Sequence, residues 1–150
     1  MFAQDRLGIK GVSLGQLKAE LPRELSETCK PAAHQSQDCT LWFEPQDKRK
    51  SLLSSVAGSG VNSWIVKLAG APAAVVSITV RVRASDPLAL FGAIEDKYAG
   101  SRCKLGDCRI DKGTDGLFVY LSGIELVVSV DSVESRALDK ARSDAAKKDI

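Results

Sequence analysis

The sequence predicts an α+β fold, an antiparallel sheet with helices packed on one face, and three observations carry that reading. Two pairs of neighbouring segments alternate apolar and polar residues with period two and are joined by short turns, as antiparallel hairpins are. Segments with apolar residues at helical spacing flank those hairpins. The length, 150 residues, suits a single domain over 1–150, and a domain of that size buries roughly 68–70% of the surface its unfolded chain exposes.

The first expected element is a short helix. Ser13 followed three residues later by Gln16 has the capping-box pattern, Leu14, Leu17 and Leu21 fall on one face, and Pro22 stops the run. Residues 23–38, which carry the chain's single histidine, His34, read as an irregular loop. Thr40 to Phe43 reads as a strand before the polar run Pro45 to Lys50. Ser51 to Gly60, rich in serine and glycine, reads either as a flexible connection or as a weak helical turn.

The period then becomes two. Trp64, Val66 and Leu68 alternate with Ser63, Ile65 and Lys67; after a turn at Gly70-Ala71-Pro72, Val76, Ile78, Val80 and Val82 alternate with Ser77, Thr79, Arg81 and Arg83. Asp86-Pro87 opens the next helix, an acidic cap before a proline at the first helical position. Leu90, Phe91, Ile94 and Tyr98 form its apolar stripe, and Gly100 ends it. Leu117 to Leu121 and Ile124 to Val130 form a second hairpin around Ser122-Gly123. A last helix is capped by Ser132 and lined on one side by Val133, Ala137, Leu138, Ala141 and Ala145. The order reads as two tandem helix–strand half-units, about 8–83 and 84–131, followed by a C-terminal helix of about 132–148.

Four cysteines fall into two local pairs, Cys29 with Cys39 and Cys103 with Cys108. Two short-range disulfides are the simplest explanation of that spacing. Zinc needs two tight ligand pairs or histidines at matching spacing, and unbonded buried thiols are the remaining alternative. Closing loops this short stabilises a fold by about 2–3 kcal/mol each. Persistent disulfides imply a periplasmic or secreted protein, because cytosolic reductants keep thiols reduced. The chain opens Met1-Phe2-Ala3-Gln4-Asp5 without a signal-peptide pattern, and Ala3 is the small residue that signal peptidase leaves at a cleavage point. The expectation is a mature exported chain.

The charge balance, 21 basic against 19 acidic residues, lacks the concentrated positive charge by which nucleic-acid binders displace counterions. No stretch approaches the roughly 18 unbroken apolar residues of a membrane span. Catalytic signatures are equally sparse. His34 sits inside the Cys29–Cys39 loop beside Ala32 and Ala33, no G-x-S-x-G elbow surrounds any serine, and Gly58-Ser59-Gly60 lacks the lysine of a phosphate loop, so it reads as a turn. Asp107, Asp111 and Asp115 recur every four residues among glycines, which fits reverse turns better than the every-second-residue ligands of an EF-hand. Glu95 and Asp96 are adjacent on a helix and diverge by about 100°. No catalytic residue, metal or cofactor is expected.

The run Gly8-Ile9-Lys10-Gly11-Val12-Ser13-Leu14-Gly15, followed by Pro22, Cys29, Cys39 and strands, resembles the G-I-x-x-x-x-L-G opening of uncharacterised small bacterial periplasmic proteins. More distantly it is similar to the repeat unit of the β-lactamase inhibitory protein and of the SmpA/OmlA (BamE-type) outer-membrane lipoproteins. The resemblance covers mainly residues 8–43, with Leu88 to Gly100 echoing a second unit. It implies helical segments backed by an antiparallel sheet, and a role in binding proteins. It transfers no binding residue.

Surface is what remains. Arg81 and Arg83 share a strand face with Ser77 and Thr79, and Lys67 on the facing strand extends them into a polar platform: a solvated sheet face, or a contact for an acidic protein or glycan. The run Asp47-Lys48-Arg49-Lys50 reads as a solvated loop or as a contact for an acidic partner. Trp42 and Trp64 lie at strand positions that serve either the core or a binding rim. The expected function is that of an exported protein-binding module without catalytic activity, an inhibitor, adaptor or envelope-assembly component. A structural or secretion-system accessory that self-assembles is the alternative, and an enzyme of unfamiliar type comes third.

Overall fold

In a computed structural model, residues 6–44, 51–83, 87–97, 103–104, 107–112, 115–122 and 125–149 are described, with side chains omitted at 87, 103–104, 107–112 and 121. The strands are β1 (Gly8–Ile9), β2 (Val12–Ser13), β3 (Lys30–Ala32), β4 (Ser36–Trp42), β5 (Ser55–Val56), β6 (Ser59–Ala69), β7 (Ala74–Arg83), β8 (Cys103–Lys104), β9 (Asp107–Lys112), β10 (Asp115–Ser122) and β11 (Glu125–Asp131). The helices are α1 (Arg23–Ser26), α2 (Pro87–Lys97) and α3 (Val133–Lys148). β1 and β2 form a small hairpin. The other nine strands form one antiparallel sheet in the order β3-β4-β6-β7-β11-β10-β9-β8, with β5 pairing beside β6.

The α+β expectation holds, and so do both long hairpins. β7 pairs with β6 on one side and β11 on the other, so the sheet runs unbroken across the boundary between the two expected half-units. Period-two alternation gives the sheet an apolar face. Two rows of directly paired residues cross it, Cys39–Val66–Ile78–Val130–Leu117 and Leu41–Trp64–Val80–Val128–Val119, all buried in one cluster. Leu7, Ile9, Val12, Leu25 of α1 and Leu90, Phe91 and Ile94 of α2 close that cluster. Each fully buried aliphatic side chain contributes about 1.5–3 kcal/mol.

Helices do not share one face. α2 covers the apolar side, whereas α3 crosses the polar side. There Asp139 reaches Lys67 at 3.9 Å and Arg142 donates to the Ser36 hydroxyl at 3.0 Å, and both targets alternate with core positions. A β-bulge anchors α3. The ladder shifts between Lys67↔Ser77 and Leu68↔Val75, which puts Val75 rather than Val76 into the core cluster. The Val76 carbonyl accepts from the Ser132 backbone N–H at 3.2 Å and from its hydroxyl at 2.7 Å. The same hydroxyl accepts from the Ser135 N–H at 3.1 Å, the N-cap that the sequence predicts.

The first expected helix is replaced by the β1–β2 hairpin and a 3₁₀ turn at Lys18–Glu20. Half of the capping box still forms, with the Ser13 N–H donating to Gln16 Oε1 at 3.1 Å, but it closes a single turn. The backbone then follows the sheet, where the Gly15 N–H donates to the Val75 carbonyl at 2.8 Å and the Val75 N–H donates to the Gln16 carbonyl at 2.8 Å. Tertiary pairing outcompetes a helix too short to be stable alone. Residues 23–38, expected as an irregular loop, hold α1, β3 and the start of β4; residues 51–60 hold a 3₁₀ turn at Leu52–Ser54, the weak helical turn of the two readings, and the start of the β5–β6 hairpin, which the pattern did not reveal. Asp86, Tyr98, Gly100 and the run 45–50 lie outside the described residues.

Candidate functional site

The polar face of the sheet divides into two halves. At one end the row Asp38–Lys67–Ser77–Asp131 lies under α3. At the other end the row Trp42–Ser63–Arg81–Val127–Tyr120 crosses five strands with no described helix over it; Trp42 and Tyr120 are exposed at its ends and Arg81 is half-buried, while Ser63 and Val127 between them are fully buried. Between them runs Thr40–Ile65–Thr79–Ser129–Phe118.

The sequence expectation of a shared platform is met in register and revised in exposure. Ser77 is buried, and its hydroxyl donates to Asp131 Oδ1 at 2.9 Å, while Lys67 is engaged by Asp139 of α3. Thr79 lies half-buried in the middle row. Arg81 and Arg83 remain at the open end. Trp64 is not part of the surface: it is fully buried, with its indole N–H donating to the Leu53 carbonyl at 2.7 Å. Trp42 is 63% exposed, the opposite fate for the neighbour-strand tryptophan. Strand parity separates them, because Trp42 follows Asp38 and Thr40 while Trp64 follows Val66 and Leu68.

The cations of the open half are held by a polar network. Glu125 accepts from Asn62 Nδ2 at 2.6 Å and lies 3.5 Å from Arg81, and Arg83 donates to Asn62 Oδ1 at 3.3 Å. Asn62 reaches them because the β6–β7 ladder is irregular between Val61 and Ser63. Two guanidinium groups against one carboxylate leave this network net positive. Trp42 and Tyr120, the latter 49% exposed, stand at the two ends of its row, about 19 Å apart at ordinary strand spacing.

Beside Trp42 a shallow groove bounded by Glu27, Lys30, Pro31, Asp38 and Thr40 runs to the β3 edge. Asp38 Oδ1 is buried there without a hydrogen-bond partner among the described residues. An unsatisfied buried acceptor costs about 1–3 kcal/mol, which a donor entering the groove would recover.

Cys29, at the end of that groove, and Cys39, in the core, lie at disulfide distance and join the segment after α1 to β4. Cys103 and Cys108 are direct cross-strand partners in the β8–β9 ladder, and their side chains lie outside the described residues. His34 is exposed in the turn between β3 and β4. Asp107 and Asp111 belong to β9 rather than to turns, and Asp115 opens β10 with its carboxylate occupied by Arg6, at 2.8 Å and 3.0 Å. Among the described residues no group of histidine, cysteine or acidic side chains has metal-binding geometry, and no helix is long and apolar enough to cross a membrane.

The motif Gly8, Ile9, Leu14 and Gly15 has a structural basis. A Cβ at Gly8 would sit 2.6 Å from the Val12 carbonyl oxygen, Gly15 has φ +83° with Arg6 against it, and Ile9 and Leu14 are buried. No protein-family model, curated protein or solved structure matches this chain.

Proposed function

We propose that this protein is a periplasmic or secreted binding module without catalytic activity, which docks another protein on the open half of its polar sheet face. The observation that carries the reading is the single cross-strand row that sets Trp42, Arg81 and Tyr120 on one face of the sheet, with Trp42 and Tyr120 exposed. Tryptophan, tyrosine and arginine supply most of the binding energy at protein interfaces, and a rigid sheet presents them at little entropic cost. The excess guanidinium charge favours an acidic partner surface, and the groove beside Asp38 favours a donor at its margin. The cysteine pair at disulfide distance supports an oxidising compartment. The resemblance of residues 8–43 to periplasmic protein-binding families points the same way.

The test is site-specific photo-crosslinking of the oxidised protein in bacterial envelope extract. One probe replaces Thr40, beside the proposed row, and a control probe replaces Leu88, an exposed apolar residue on α2. The reading expects a discrete adduct from Thr40 alone, weakened at least tenfold by W42A combined with Y120A. Equal labelling from both sites, or an adduct indifferent to the double substitution, overturns it. An adduct between two copies of this chain would instead favour the self-assembling accessory.

A further inference from the structure

On the opposite side of the sheet, between α2, the β1–β2 hairpin and strands β10 and β11, lies an apolar cavity of about 140 Å³. Ile9, Val56, Leu90, Ile94, Leu117 and Val128 form its walls. Its described lining includes two lysines, Lys10 and Lys97, and no acidic residue. Both lysines are exposed, which places them at the mouth. The Lys97 ammonium donates to the Gly8 carbonyl at 3.0 Å and the Lys10 ammonium to the Leu52 carbonyl at 2.9 Å, which holds both side chains over the opening.

Two hairpin tips frame the same cavity, and both are strained alike. Lys10-Gly11 and Ala57-Gly58 each place a non-glycine residue in the left-handed region, at φ 51°, ahead of a glycine at φ 82°. Asparagine or glycine would relax either position. Lys10, in that conformation, sets a second cation at the rim.

We infer that this cavity binds a small monocarboxylate whose apolar part is about six carbons long. An apolar cavity close to 150 Å³ accommodates a benzene-sized group, which sets the size of the hydrocarbon. The rim sets the head group. A carboxylate accepts charge-assisted hydrogen bonds from both ammonium groups, whereas an alcohol gains less and an alkylammonium is repelled. The site lies on the face away from Trp42 and Tyr120 and stands independently of the proposed docking row.

The experiment titrates the oxidised protein with heptanoate, 1-heptanol, heptylamine and propionate while following methyl resonances of Leu90, Ile94 and Val128. Heptanoate is expected to shift these resonances saturably and to bind at least tenfold more tightly than heptanol, with propionate and heptylamine weaker still. Ala93→Phe, which fills the cavity from its rim, should abolish binding with an unchanged circular dichroism spectrum. The double substitution K10M and K97M should reduce heptanoate binding about tenfold and leave heptanol binding intact. The absence of any methyl shift, heptylamine binding as tightly as heptanoate, or full retention of binding in folded Ala93→Phe would overturn the inference.

Discussion

Arg6 is the residue whose partners reach furthest across the described chain. Its guanidinium grips Asp115, which is 6% exposed, through two hydrogen bonds and lies 3.6 Å from Glu134 of α3. The hydrogen bond to Asp115 is the main reason its already high pKa is raised further. Arg6→Ala would strand a buried carboxylate and should cost about 3 kcal/mol, measured as a reduced denaturation midpoint at unchanged m-value. Glu134 offers a pH readout. Its carboxyl is held below the ordinary carboxylate range, first by its own backbone N–H and then by Ser132 and Arg6. Its folded pKa is thus lower than its unfolded one. The stability it contributes is present above the ordinary carboxylate range and lost as pH falls through the depressed value. E134Q should therefore lose less thermal stability than the parent between about pH 5 and pH 3. Gly8→Ala should cost about 2 kcal/mol or more, because backbone atoms of the facing strand cannot retreat from the added methyl.

At the scale of elements, α3 depends on one serine and one bulge. Ser132→Ala removes a fully buried hydroxyl that both caps the helix and satisfies the Val76 carbonyl. The expected loss is about 2 kcal/mol, with amide exchange in α3 accelerated more than in β7. Helix positions were legible where a local device specified them: Ser132 caps α3, and a helix begins at Pro87 as the proline at its first position predicts. They were illegible where a local device served another end. Ser13 and Gln16 make the hydrogen bond of a capping box, yet Leu14 and Leu17 do not continue a helix, because the backbone around them is drawn onto β7. Short strands such as β1, β2, β3 and β5 hold two or three residues each, too few for alternation to register.

For the whole molecule, the Cys29–Cys39 link ties the segment after α1 to the sheet. Replacing both cysteines with alanine should lower unfolding stability by about 3 kcal/mol on the loop-entropy account, and reductant should do the same to the parent. Intact mass before and after reduction reports the number of bridges, and two bridges would add four hydrogens. The same measurement settles the Cys103–Cys108 pair, which stands directly opposed across β8 and β9. The sheet also separates its two surfaces by face. One side carries the core and the lysine-rimmed cavity, and the other is shared between α3 and the Trp42–Tyr120 row.

By itself the sequence determined the α+β class, the two long hairpins, the helix beginning at Pro87, the terminal helix with its serine cap and the face shared by Ser77, Thr79, Arg81 and Arg83. All of these are written in short-range periodicity and in side chains that bond their own backbone. Only the tertiary structure decided that Trp64 is core while Trp42 is exposed, that α3 crosses the polar face, and that Lys10 and Lys97, 87 positions apart in the chain, meet at one cavity. Those outcomes depend on strand register, on the bulge that frees the Val76 carbonyl, and on which distant segment covers which half of a face. They are energies of contact between residues far apart in the chain, to which a local pattern carries no reference.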